Sequence, residues 1–279
     1  MTDSTVDIGV LPALDATYDV SAEAIDTYRR DGHTVLRSVC SADEIAAYEP
    51  VIKDAAFRYN RETRPLEERE TYGKAFLQIG NLFKKDEGAA KFVLASRFAK
   101  IAADLMGVDG VRIYHDQALF KEAKGGRTPW HQDQYYWPLD TDHSITMWMP
   151  LVDVPSEVGS MLFASGSQNE RSLGEHEISD ESDEVFEKML TERGMSIDTH
   201  GAMRAGDATF HSGWILHAAG ANPTGILRAV MTVIYYADGV RIGEDLTPAR
   251  RVDLDKWLPG CEPGGLAISE LNPLVWSSS

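Results

Sequence analysis

The strongest constraint on the fold is a series of short β-rich runs that begins after Gly107. Val111–Lys121, Thr128–Tyr136, Ser144–Val152, Ser160–Ala164, Ala208–His217 and Leu227–Ala237 are rich in β-branched and aromatic residues. Turn formers separate them: Gly125-Gly126, Pro138, Pro155, Gly166, Asn222-Pro223 and Gly239. Strands joined by turns rather than by helical crossovers pair antiparallel, and they must stack or close on themselves to bury their apolar faces. The expected fold class is an all-β core, an antiparallel sandwich or barrel, with flanking helices.

The helices come first in the chain. Ser21 is a candidate N-cap for a helix ending near Asp31-Gly32, and His33–Val39 reads as a strand. Ser41-Ala-Asp-Glu44 is a capping box opening a helix through about Arg58. Residues 89–106 read as one helix stopped by Gly107. The expected organisation is one domain over 1–279: a loose arm (1–20), helical decoration (21–106), the β core (107–240) and a C-terminal extension (241–279). Within the core, residues 170–192 hold nine acids against Arg171 and Lys188. They read as a solvated excursion, partly helical around Asp183–Leu190, with an active-site lid as the alternative.

Charge narrows the partners. With 44 acidic and 27 basic residues the net charge is −17, which repels phosphate backbones and anionic lipid. Neither nucleic acid nor membrane is an expected partner; a small molecule is. Cys40 and Cys261 form no disulfide or zinc framework. No leader or membrane-length apolar run is evident, so a cytoplasmic location is expected. The oligomeric state is left open.

The chemistry concentrates in Trp130-His131-Gln132-Asp133-Gln134-Tyr135-Tyr136-Trp137-Pro138. On a strand, alternate residues share a face, so His131 and Asp133 point the same way and offer two adjacent metal ligands. His217, at the end of a later apolar strand, supplies a third. Two His and one carboxylate leave cis positions open, the facial arrangement of non-haem Fe(II) oxygenases. Arg228, inside the apolar run Leu227–Val233, requires a buried anion, and a co-substrate carboxylate would serve. If Asn222-Pro223 centres a hairpin, residues 217 and 228 face each other across it. The plainer alternatives are a hydrogen-bonded His–Asp pair and a structural salt bridge for Arg228. A metal hydrolase site or a metal kept for stability are the competing functional readings. His33, His143, His176 and His200 lack partners at ligand spacing and read as surface or loop residues.

These residues resemble the phytanoyl-CoA dioxygenase (PhyH) family of Fe(II)/2-oxoglutarate-dependent oxygenases. The similarity runs from Arg30-Asp-Gly-His33 through Thr128-Pro-Trp-His-Gln-Asp133, Met147-Trp148-Met-Pro-Leu151, Gly159…Phe163-Ala-Ser-Gly-Ser167 and Gly206-Asp-Ala-Thr-Phe-His211 to Arg228 and Tyr235-Tyr236. The resemblance implies a double-stranded β-helix (jelly-roll, cupin-like) core. It implies Fe(II) on His131, Asp133 and His217, with Arg228 on the distal carboxylate of 2-oxoglutarate and O2 as oxidant. Lys74 and Trp148 match co-substrate positions. His115 and Gln117, alternating with Leu119, are expected to face the pocket; Trp137 and His211 match substrate-side positions. Trp137, Trp148, Phe163 and Trp214 are expected to line a dry pocket. One departure stands out: many relatives carry a Ser two residues after the distal His, where this chain has Ala219. Asp133 is intact, which disfavours halogenation. The expected reaction is oxidation of an unactivated C–H of a small, largely apolar or amphipathic metabolite, giving succinate and CO2. An acyl-CoA is a poor match to a −17 chain in which no pocket-side basic cluster is evident.

Overall fold

Both N-terminal capping signals start helices in the computed structural model, which describes residues 11–174 and 176–278. Ser21 accepts the Ala24 amide and opens α1 (Ala22–Asp31), which closes on Gly32 at φ 80°. Ser41 and Glu44 exchange both capping-box hydrogen bonds at the start of α2 (Ala42–Tyr59). Glu44 also pairs with the buried Arg97 at 2.8 Å. Arg97 Nε donates to the Ala16 carbonyl at 2.9 Å, and the Tyr48 hydroxyl donates to the Pro12 carbonyl at 2.7 Å. Residues 11–20 are therefore pinned across the helices rather than loose. Residues 1–10 of the expected arm and Glu175 of the acidic excursion lie outside the described residues.

The remaining elements follow in order: β1 (His33–Leu36), α3 (Thr71–Ala75), β2 (Leu77–Gly80), α4 (Glu87–Val93), α5 (Ser96–Met106), β3 (Gly110–Lys121), β4 (Thr128–His131) and β5 (Ser144–Pro150). Then come β6 (Met161–Ala164), α6 (Asp180–Arg193), β7 (Ile197–Asp198), β8 (Ala208–Ser212), β9 (His217–Ala219), β10 (Arg228–Ala237), α7 (Pro248–Trp257) and β11 (Leu274–Ser277). The helix expected over 89–106 is two helices with a break at Leu94-Ala95. No helix of the described residues is long and apolar enough to cross a membrane.

The strands form two antiparallel sheets. The larger has the order β1-β8-β5-β10-β3-β11, with β2 also on β3; the smaller has the order β4-β9-β6-β7. From β3 to β10 the chain passes repeatedly from one sheet to the other, which makes the core a jelly roll. This crossing corrects two expectations. The single strand Ala208–His217 is broken by a turn at Gly213-Trp214, so His211 stays on the larger sheet while His217 starts β9 on the smaller. His217 and Arg228 are not hairpin partners either. Arg228 pairs with Lys121 on β3, and it meets His217 across the space between the sheets.

Alternation sorts the larger sheet into two faces. Ala229, Met231, Val233 and Tyr235 of β10 join Ile145, Met147 and Met149 of β5 in the core under the helices. Arg228, Thr232, Ile234, Thr146 and Trp148 point the other way, into the space between the sheets. On β3 a bulge changes the parity: Ile234 pairs with His115 and Tyr235 with Ile113, which leaves Tyr114 unpaired. Before it Val111 and Ile113 face the helices; after it Ala118 and Phe120 do, and His115, Gln117 and Leu119 face the interior.

The start of β8, which carries His211, is fixed by Gly206. Its φ is 89°, and a Cβ there would lie 2.4 Å from the Cys40 carbonyl oxygen. Gly206→Ala is expected to cost about 2–4 kcal/mol, seen as a thermal midpoint lowered by roughly 4–12 °C in scanning fluorimetry. An unchanged midpoint would contradict this account.

Candidate metal centre

His131 closes β4, and Gln132 continues the extended backbone at φ −114°, ψ 125° before Asp133 opens a short 3-10 turn. The strand expected over Thr128–Tyr136 thus ends early, yet the one extended residue preserves the alternation that puts His131 and Asp133 on one side. β9 pairs with β4, bringing His217 directly opposite His131 with ring centroids 4.1 Å apart. The ligand atoms of His131, Asp133 and His217 all lie within 4.8 Å of one another.

The donor set fits a metal ion. His131 Nδ1 lies 2.8 Å from the Pro129 carbonyl oxygen, and His217 Nδ1 lies 3.1 Å from that of Ile215. A carbonyl only accepts, so each Nδ1 carries the proton and each Nε2 presents a lone pair. These Nε2 atoms sit 3.6 Å and 3.9 Å from Asp133 Oδ1. The other carboxylate oxygen, Oδ2, takes the Thr146 hydroxyl at 3.3 Å and faces His211 Nε2 at 3.8 Å. One oxygen is thereby held and the other is free for coordination. Burial, then the neighbouring His131, pushes His217 well below the ordinary histidine range, which keeps it in the neutral form a ligand needs.

These groups open on a cleft lined also by Tyr72, His115, Gln117, Trp148, His211 and Arg228. Arg228 is the only cationic side chain among the described lining residues. It is 2 % exposed, its Nη1 donates to the Gly159 carbonyl, and its guanidinium carbon lies 5.2 Å from the Trp148 ring centre. It has no carboxylate partner among the described residues, its Nε has no partner, and burial pushes it down to about 9. A buried guanidinium without an anion costs several kcal/mol, a cost that an entering carboxylate would relieve.

Of the other expected residues, His115, Gln117 and Trp137 line the cleft, and they also line a vestibule walled by Tyr72, Tyr136 and Trp257. Burial pushes His115 down to about 3, so it is neutral. His211 sits beside Asp133 rather than in the vestibule. Lys74, on α3, is not among the lining residues, whereas Tyr72 and Phe76 on either side of it are. Phe163 lies behind the metal group, stacked on His33 at 4.4 Å, and Trp214 lines a separate groove with Arg171. Neither lines the cleft, contrary to expectation.

Two further expectations change and a third holds with one exception. His33 is neither a surface nor a loop residue: it lies on β1, 3 % exposed, with Nδ1 3.0 Å from Nε2 of His200, which does lie in a loop, and Nε2 2.7 Å from Ser165 Oγ. The acidic excursion is helical over α6 and solvated as expected, with seven of its eight described acids exposed, but one acid, Asp183, docks it to the core. The buried Asp183 accepts the Trp130 amide at 2.7 Å and pairs with Arg127, while Glu177 and Ile178 line the vestibule. A basic cluster does stand near the pocket: Arg61, Lys85 and Lys256 line a groove that shares Tyr72, Gln78 and Trp257 with the vestibule.

Sequence reasoning missed Lys121, because a Lys at a strand end reads as solvated. It is fully buried opposite Arg228, with Nζ donating to the Gly126 carbonyl and no carboxylate partner among the described residues. Burial first, then Arg228, pushes it from an ordinary 10.5 down to about 6. Between those values the unfolded chain holds the extra proton, so this lysine makes stability rise with pH through that window. Lys121→Met is therefore expected to stabilise the protein without co-substrate by roughly 1–3 kcal/mol near pH 7. The gain should shrink toward pH 10; denaturant unfolding across pH 6–10 reads it, and a pH-independent difference would refute the assignment.

The phytanoyl-CoA dioxygenase (PhyH) family profile matches residues 28–230. The sequence has no significant match among curated proteins. Among solved structures, the fold is similar to the non-haem α-ketoglutarate-dependent carbocyclase SnoK of nogalamycin biosynthesis, with TM-score 0.76 and 25% identity over 94% of this chain and 99% of that one. It is also similar to the epimerase SnoN in complex with Fe3+, α-ketoglutarate and nogalamycin RO, with TM-score 0.73 and 26% identity over 91% and 98%. EctD from S. alaskensis with 2-oxoglutarate and 5-hydroxyectoine shares the fold at TM-score 0.65 and 20% identity over 93% and 92%. The chain belongs to the phytanoyl-CoA dioxygenase family of iron- and 2-oxoglutarate-dependent enzymes.

Proposed function

We propose that this protein is a dioxygenase that oxidises an unactivated C–H bond of a small, largely apolar or amphipathic metabolite. The observation that carries the proposal is one cleft holding both a tautomer-fixed His131–Asp133–His217 group and a buried Arg228 without a counter-ion. Fe(II) on the triad, with 2-oxoglutarate and O2, supplies the oxidant and leaves succinate and CO2 as co-products. The Pro129 and Ile215 carbonyls hold the two imidazoles, and Thr146 orients the carboxylate. Arg228 fixes the distal carboxylate of the co-substrate, with Trp148 covering the guanidinium and Gln117, on the neighbouring strand β3, lining the same wall. The aromatic vestibule of Tyr72, Tyr136, Trp137 and Trp257 takes the body of the substrate and keeps water out. A hydrolase or a metal-holding binding protein has no use for a buried, unpaired arginine beside the metal group.

The test is anaerobic addition of Fe(II) and then 2-oxoglutarate to metal-free protein. The expected result is a weak visible charge-transfer band, absent in His131→Ala and needing at least tenfold more co-substrate in Arg228→Ala. In air, succinate should form in step with 2-oxoglutarate loss. Iron binding with neither band nor succinate would favour the hydrolytic or binding role.

A second reading concerns the charge of the substrate. Arg61, Lys85 and Lys256 form no ion pair among the described residues, and they converge on the groove beside the vestibule of an otherwise acidic protein. They favour an amphipathic substrate whose far end is anionic. In a substrate screen, Lys85→Ala/Lys256→Ala is expected to raise KM several-fold for anionic substrates and leave neutral ones unchanged. An equal effect on both would remove this reading.

A further inference from the structure

The vestibule outside the metal group has an unmatched carboxylate of its own. Asp253, on α7, lines it and is half-buried. Its Oδ2 takes the Tyr114 hydroxyl at 3.0 Å, and Trp257 also hydrogen-bonds to the carboxyl. It forms no ion pair among the described residues. Lys256, the one lysine of the vestibule lining, is exposed, with Nζ lying 4.3 Å from the Trp257 ring centre. Burial pushes the Asp253 carboxyl up to about 6, against the pull of Tyr114 and Lys256. At pH 7 it is therefore ionised at a cost that a cation in the vestibule would relieve.

We propose that the vestibule is a site for a protonated amine: the substrate carries an ammonium group that binds between Asp253 and His115, beside the rings of Tyr72, Tyr136 and Trp137. This inference rests on the function proposed above, whose substrate class it narrows. His115 supplies the independent observation. It is 2 % exposed, and its Nδ1 is buried with no hydrogen-bond partner. Buried polar atoms almost always have a partner, so an orphan nitrogen on a ligand wall marks a missing one. The two rings that hold Asp253 also flank His115, whose ring centre lies 4.7 Å from that of Tyr114 and 4.4 Å from that of Trp257. Because burial keeps His115 neutral, Nδ1 accepts an N–H whenever the ring proton is on Nε2.

An ammonium has three donors, enough for the carboxylate and the imidazole together. A hydroxyl would serve His115 but leave the Asp253 charge unanswered. A carboxylate would be repelled by Asp253 and by Glu177, an exposed acid on the same vestibule. The aromatic wall suits a cation as well, since ring faces attract ammonium groups. α7 lies beyond residues 28–230, so Asp253 is outside the part of the chain that the family profile matches.

The experiment is calorimetric binding of benzylamine and of benzyl alcohol, its uncharged counterpart of similar shape. Both are titrated into metal-free protein and into protein loaded with Mn(II) and 2-oxoglutarate without O2. Wild type should prefer the amine at least tenfold in both states. Asp253→Asn keeps an acceptor for Tyr114 but removes the charge; it should weaken the amine roughly 10- to 100-fold and leave the alcohol within about threefold. His115→Phe keeps a ring against Trp257 and should weaken the amine about 3- to 10-fold. Thermal midpoints of both variants control for folding. No amine binding at millimolar concentration, no preference over the alcohol, or equal losses for both probes in Asp253→Asn would overturn the assignment. Amine binding confined to the Mn(II)-loaded form would overturn it too, because the metal would then be the ligand's partner. A protein that makes succinate but shows no amine preference loses this inference alone. One that prefers the amine but gives neither band nor succinate keeps the amine site and loses the proposed function.

Discussion

Every residue of β10 is buried, and the rest of the molecule is arranged around that fact. A strand covered on both faces normally reads as an unbroken apolar run. Here one face is apolar under the helices, and the other carries Arg228, Thr232 and Ile234 into the space between the sheets. The neighbouring strands repeat the division: Met147 and Phe210 face the helices while Trp148 and His211 face the cleft. The helical layer of α1, α2, α4 and α5 gives the larger sheet a dry back. Its front can then hold polar chemistry on a rigid support.

That front violates local rules at a few positions. Two basic groups, Arg228 and Lys121, are buried opposite each other with no carboxylate partner among the described residues. Gly159 allows them this close: a Cβ there would lie 2.9 Å from Arg228 Nη1 and 3.1 Å from Lys121 Cδ. Burying the Arg228 charge and stripping the proton from Lys121 both oppose folding, and the surrounding core offsets the cost. The orphan Arg228 Nε and Thr128 Oγ1 add to the same imbalance. Arg228 and Thr128 line the same cleft as the candidate metal ligands, whose imidazoles are already fixed by backbone carbonyls. The departures from good packing are what an incoming dicarboxylate would correct.

Much of this was legible in the sequence. The Ser21 N-cap, the Ser41–Glu44 capping box, the β-rich series after Gly107, the His131–Asp133 spacing and the anomalous Arg228 are local signals, and local signals survive without a fold. The harder features are those that depend on which strand joins which sheet. The 11-residue interval between His217 and Arg228 reads as a hairpin, yet the chain crosses between sheets there and the two meet as opposing walls. The acidic run over 170–192 reads as solvated because it holds nine acids, but Asp183 has a buried backbone amide and Arg127 as partners from β4 and its approach. His33 and His200, 167 positions apart, could not be seen as a pair.

By itself, the sequence determined the fold class, the candidate ligand residues and the anomaly of a charged Arg228 in an apolar run, because periodicity, spacing and the cost of burying charge act over a few residues. Tertiary structure decided the rest. The bulge at Tyr114 aims His115 and Gln117 inward, the pairing of β4 with β9 sets Thr128 against Ala219, and the pairing of β3 with β10 buries Lys121 beside Arg228. Register between distant strands is fixed only when whole faces find their cover. No window of sequence contains that information.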